Sequence, residues 1–182
     1  MQDFIVPFLT VGLAEMGDKT QLAVFCLASK TRKHLALFLG VLLAFIITDG
    51  LAVAFGNFIA NAISTDYIGF ISGAIFIIFG VVTLLKTGDG ESKCDLKTPF
   101  LSGFGLVFIS ELGDKTQIAA GLFATQYKPL PVFLGVIAAL GILSIIAIYL
   151  GRYVMGRLDY RKVSILAGAL FVLVGVFSFF QQ

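Results

Sequence analysis

Residues 15–21 read Glu-Met-Gly-Asp-Lys-Thr-Gln and residues 111–117 read Glu-Leu-Gly-Asp-Lys-Thr-Gln, two copies that differ only at their second position. The correspondence runs outward from both copies. Phe38-Leu39-Gly40-Val41 matches Phe133-Leu134-Gly135-Val136, Gly73-Ala74-Ile75-Phe76 matches Gly168-Ala169-Leu170-Phe171, and Gly80-Val81 matches Gly175-Val176, all at an offset of 95, one less than the 96 between the motifs. Whatever unit the first half forms, the second half forms as well.

The sequence around the motifs is apolar. With 58% hydrophobic and 13% charged residues over 182 positions, and a mean hydropathy of +1.00, the chain lacks the polar surface a water-soluble domain of this size needs. The lipid bilayer is the expected solvent. A bilayer core of about 30 Å requires about 20 mostly apolar residues per helix, and six such stretches occur, at about 4–28, 35–60, 67–85, 100–125, 130–150 and 163–180. They are continuous rather than alternating, which excludes membrane-spanning strands. The expected fold is therefore an all-α polytopic membrane protein with six transmembrane helices and a single membrane domain over 1–182. Repeat one covers about 4–86, a cytoplasmic linker about 87–98, and repeat two about 99–182.

Three spans per repeat make the second copy enter the membrane from the opposite side, the inverted topology of many secondary transporters. Lysine and arginine placement sets the orientation, because cytoplasmic loops collect them. Lys30, Arg32 and Lys33, then Lys86, Lys93 and Lys97, then Arg152, Arg157, Arg161 and Lys162 fall on one side, with Lys128 alone on the other. Both termini are expected outside. Met1-Gln2-Asp3 lacks a positive n-region, so the first apolar stretch reads as a retained helix rather than a cleaved signal. The net charge of +2 and the absence of a basic block exclude nucleic acid as a partner. Cys26 and Cys94 form no metal or redox motif and read as incidental.

Chemistry concentrates in the motifs. Glu15 and Glu111 fall near the middle of spans one and four, where an ionised side chain costs at least about 2.5–3.5 kcal/mol. On a continuous helix Glu15 and Asp18, and likewise Glu111 and Asp114, share one face, with Gln21 and Gln117 extending it. Lys19 and Lys115, four residues after each Glu, are placed for ion pairs along the helix. The hydroxyls of Thr20 and Thr116 either bond back to a carbonyl or, if Gly17 and Gly113 loosen the helix, reach a ligand. Were the two spans to cross at the midplane, four carboxylates against two lysines would leave −2. One divalent cation neutralises that charge, and so do two protons. Oxygen ligands without His or Cys favour Ca²⁺, Mn²⁺ or Mg²⁺ over Zn²⁺ or Cu²⁺. No cofactor is expected.

Three further features stand beside the motifs. Asp49, in the outer part of span two, has Ser144 as its repeat-mate; it reads either as a proton-relay or access residue, or as an interfacial or locally hydrogen-bonded acid. His34, beside Arg32 and Lys33, reads as interfacial. Small residues at helical spacing, such as Ala36, Gly40 and Ala44, read as packing surfaces.

Two E-x-G-D-[KR]-[TS] motifs, each in the first helix of a three-helix half, resemble the small calcium and manganese cation/proton exchanger family, which includes Golgi exchangers and bacterial manganese exporters. The resemblance covers essentially the whole chain. It implies exchange of a divalent cation for protons, with Glu15, Asp18, Glu111 and Asp114 as cation-binding positions and Thr20 and Thr116 as motif members. For a short chain without an organelle-targeting extension it also implies a bacterial cytoplasmic-membrane protein exporting Mn²⁺, with Ca²⁺/H⁺ exchange at the same site as the alternative. A reading of another class is a non-transporting membrane scaffold held by buried ion pairs. An enzyme is not expected, since the chain has no H-E-x-x-H motif and no convincing nucleophile and base.

Overall fold

The structure, a computed structural model, describes residues 1–62, 65–85, 98–150 and 160–178, apart from the side chains of Lys19, 65–69, 83, 160–164 and 167. The expected linker, but for Thr98, and the basic side chains of loop five lie outside the described residues. Those described form eight α-helices and no strand. They are α1 (Gln2–Glu15), α2 (Lys19–Ser29), α3 (His34–Ala62), α4 (Thr65–Leu85), α5 (Pro99–Glu111), α6 (Lys115–Gln126), α7 (Pro129–Ile145) and α8 (Tyr160–Ser178). A π-helical turn, Ile146–Leu150, continues α7.

α3 and the continuous segment Pro129–Leu150 are each long and apolar enough to cross a membrane. At about 1.5 Å per residue both exceed a bilayer core of about 30 Å. Proline opens α5 and α7, where its missing N–H would have had no intrahelical partner.

Stretches 4–28 and 100–125, expected to be single helices, are not. Each is two shorter helices, α1 with α2 and α5 with α6, interrupted inside the motif. The continuous-helix geometry expected for the acids therefore does not hold.

The halves interlock. The first broken helix of each half packs on the long helix of the other, α1 on α7 and α5 on α3, while α4 packs on α8. Glycine permits this closeness. A β-carbon on Gly40 would overlap the Phe100 carbonyl oxygen, and one on its repeat-mate Gly135 would come within 2.6 Å of the Phe4 carbonyl oxygen. The α4–α8 contact is reciprocal in the same way: Gly80 sits on the Gly168 carbonyl and Gly175 on that of Gly73. Small residues at such spacing let backbones approach, as expected.

Phe76, Phe123 and Phe171 pack into one buried cluster, with ring centroids 4.8 Å apart for the tilted pair Phe76–Phe123 and 6.1 Å for the stacked pair Phe76–Phe171. Large apolar side chains also cover the outside: Leu51, Phe55, Phe58, Ile109 and Leu173 are each more than 60% exposed. Meanwhile Glu15, Asp49 and Glu111 are each only 1% exposed. Acids inside and hydrocarbon outside is an arrangement suited to lipid.

Candidate cation site

Both motifs break their helix in the same way. After Glu15 and Glu111 the chain turns extended at Met16 (ψ 111°) and Leu112 (ψ 108°). Gly17 and Gly113 then take φ values of +81° and +80°, in the left-handed region that a β-carbon disfavours. The Asp18 and Asp114 N–H groups donate to the Glu15 and Glu111 carbonyls, 3.1 Å each, and the two Asp carbonyls accept from Leu22 and Ile118, 3.2 Å each, opening α2 and α6. The Gln21 side-chain oxygen accepts the Gly17 N–H at 3.0 Å, and that of Gln117 accepts the Gly113 N–H at 2.7 Å.

Asp at the N-cap with Gln three residues later is a variant of the capping box, the glutamine reaching one residue further back than usual. D-x-x-Q after glycine was therefore a helix-start signal in the sequence, and the continuous-helix reading passed over it. The Gln117 amide nitrogen also donates to the Thr48 carbonyl at 3.1 Å, tying the second break to α3.

The interruption redirects the acids. Each Glu stands at the end of one helix and each Asp at the start of the next, beside the partial positive charge of a helix N-terminus. Glu15, Asp18 and Asp114 converge from both motifs, with carboxylate oxygens within 4.8 Å of one another. Glu15 is buried, while Asp18 and Asp114 have side-chain exposures of 29% and 32%. Two oxygens bound to one cation at about 2.3–2.6 Å lie at most about 5.2 Å apart, so a single hard ion could engage all three.

Glu111 lies outside that three-oxygen group. The Thr116 hydroxyl is 3.4 Å from both Glu111 Oε2 and Asp114 Oδ2, linking the fourth acid to the cluster, and Thr20 faces Glu111 from the other repeat. Both threonines thus face the acids.

Lys115 departs most from expectation. Instead of pairing with Glu111 four residues earlier, its Nζ crosses to the first motif, 2.6 Å from Asp18 Oδ2 and 3.3 Å from Glu15 Oε1, and lies 3.4 Å from Asp114 Oδ2. The break removes the helical register that an i, i+4 pair needs. The Lys19 side chain lies outside the described residues.

Asp49 sits inside the protein, in α3. It is 1% exposed, and both its carboxylate oxygens lack a hydrogen-bond partner. Its chain neighbour Thr48 donates instead to the Ala44 carbonyl at 3.0 Å. Asp49 is within electrostatic range of Glu15, Glu111 and Asp114, so it joins Glu15 and Glu111 as a third buried acid beside the half-buried Asp18 and Asp114. Its repeat-mate Ser144 donates to the Leu140 carbonyl at 2.7 Å and lines a small cavity with Glu15, Thr20, Gln21 and Phe45. Sequence reading gave Ser144 and Phe45 no part in the site; only the repeat alignment, which sets Ser144 opposite Asp49, pointed there. His34 makes an edge-on ring contact with Tyr149, centroids 5.4 Å apart.

The family model described as divalent cation/proton antiporter GDT1 matches residues 3–91 and 99–182. The chain belongs to this family. GDT1 proteins are transporters, so this is a membrane cation/proton exchanger of that family rather than a member of an enzyme family. A Vibrio cholerae protein named "Putative manganese exporter" is 29% identical over 99% of this chain and 92% of its own length. A GDT1-like protein of Synechocystis is also 29% identical, over 98% of this chain and 97% of its own. GDT1-like protein 5 of Arabidopsis thaliana is 28% identical over 98% and 95%. No solved structure matches the chain.

Proposed function

We propose that this GDT1-family protein exports Mn²⁺ from the cytoplasm in exchange for protons, using Glu15, Asp18, Asp114 and Glu111 as the cation-binding acids. The observation that carries the reading is the convergence of three carboxylates, contributed by both motifs, within 4.8 Å at two helix breaks. Discontinuous helices that meet at the midplane are how many transporters build ion sites. An all-oxygen donor set suits a hard divalent ion. Manganese as cargo, and export as direction, are drawn from the name of the Vibrio relative.

The six spans form two inverted repeats with both termini outside, in a bacterial cytoplasmic membrane. The reciprocal packing of α1 on α7 and α5 on α3 supports that relation. Buried acids that cannot all stay ionised without a cation take up protons on the return step. Asp49, buried with two unpartnered oxygens and close to Glu111, is the proposed proton carrier between the cluster and the outer part of α3.

The test is metal-driven proton flux in proteoliposomes with an acidic interior. Mn²⁺ added outside should drive protons out of vesicles containing wild-type protein but not Glu111→Gln. If folded wild-type protein gives no proton movement with either Mn²⁺ or Ca²⁺, the antiport reading falls and the scaffold reading takes its place. Competition between the two ions in the same assay assigns the cargo.

A further inference from the structure

We propose that the Lys115 ammonium is a tethered counter-cation that occupies the three-carboxylate cluster and must leave it when the divalent ion enters. This rests on the cation-exchange reading above and adds a built-in competitor to it. Lys115 Nζ touches the same three residues whose oxygens converge: Asp18 at 2.6 Å, Glu15 at 3.3 Å and Asp114 at 3.4 Å. The ammonium thus already engages one oxygen of each residue that a metal ligated by all three would need.

The two cations cannot share those oxygens. A metal bound to these oxygens at about 2.3–2.6 Å would lie within about 3 Å of the ammonium, where a divalent and a monovalent charge repel strongly at any dielectric the site could offer. Lysine suits the part. Its ammonium is a compact point charge on a flexible four-carbon stem, and here the side chain is 25% exposed, so it has a way out of the cluster. It is anchored at the first residue of α6, directly after Asp114, so once the metal has gone it can return.

A bare group of carboxylates in a bilayer is costly. A lysine that closes over them after release makes the metal-free site tolerable, and because it must be displaced it also weakens metal binding enough to allow release.

The decisive measurement is Mn²⁺ affinity of the detergent-purified protein by calorimetry, beside its turnover in proteoliposomes. Lys115→Gln should bind Mn²⁺ at least about tenfold more tightly than wild type, since one positive charge has left the ligand shell, and should turn over more slowly. Lys115→Arg, which keeps the charge, should bind like wild type. A lysine that only clamps the two halves together gives the opposite sign, with folded Lys115→Gln binding as weakly as wild type or more weakly.

A second measurement uses the wild-type protein alone. Amine acylation at Lys115, quantified by mass spectrometry, should speed up when Mn²⁺ is added. Unchanged or slower acylation, or no gain in affinity in Lys115→Gln while wild type still binds Mn²⁺, overturns the counter-cation proposal and leaves antiport standing. Failure of wild type to bind Mn²⁺ or Ca²⁺ overturns both.

Discussion

At Gly17 and Gly113 a single dihedral decides where two carboxylates go. With φ near +80° at both positions, any side chain brings a left-handed penalty of about 1–2 kcal/mol. At Gly113 nothing lies within 4 Å of a built β-carbon, so that penalty is conformational rather than steric. Gly113→Ala should therefore lower the melting temperature in detergent by the equivalent of about 1–2 kcal/mol and reduce metal-driven flux. Gly113→Asn, a residue that tolerates the left-handed region, should lose less of both. Equal loss in the two variants would show that the positive φ is not what the site depends on. Asp49 poses the opposite case. A buried acid with two unpartnered oxygens opposes folding, so Asp49→Asn should hold or raise the melting temperature while slowing proton-coupled flux. A drop in melting temperature with flux intact would assign Asp49 to structure instead.

At the scale of helices, hydropathy made the chain's apolar segments legible but not their interruptions, which only the local Gly-Asp-x-x-Gln pattern signals. Averaged hydropathy registers length and composition, so it located α3, α4 and α7, but α1 with α2 and α5 with α6 merged because each break is only a few residues long between two apolar segments. The four acids were legible from their residue types in an apolar setting. Their pairing was not, because the reach of Lys115 to Glu15 and Asp18 depends on how the two halves dock. The glycines behave differently from one another for a reason that sequence does not reveal. A β-carbon on Gly40 overlaps the Phe100 backbone, whereas one on Gly105, also within a helix, meets nothing within 4 Å. Gly40→Ala should therefore push α3 from α5 and cost about 1–3 kcal/mol. Gly105→Ala should stabilise by about 0.5–1 kcal/mol through helix propensity. Thermal unfolding of the two variants side by side checks the sign of each; a stabilised Gly40→Ala would mean that the α3–α5 contact is looser than described.

At the scale of the whole molecule, the first broken helix of each half packs on the long helix of the other, and both motifs break with a glutamine oxygen accepting the glycine N–H. Two copies of a unit with an odd number of spans must lie in the membrane in opposite senses. Matched positions in the two repeats should then face opposite compartments. Arg32 and Lys128 form such a pair: both are exposed, and both lie in the short connection that follows the second half of a broken helix. Arg32 belongs to the positively charged side, which cytoplasmic loops favour. In intact cells, with the parent protein as the blank, cysteine at Lys128→Cys should react with a membrane-impermeant maleimide added outside. Arg32→Cys should react only after the membrane is opened. Were both to react from the same side, the repeats would run parallel. Glu15 and Glu111 would then reach the centre from one direction, and the exchange of access between two faces on which antiport depends would lose its structural basis.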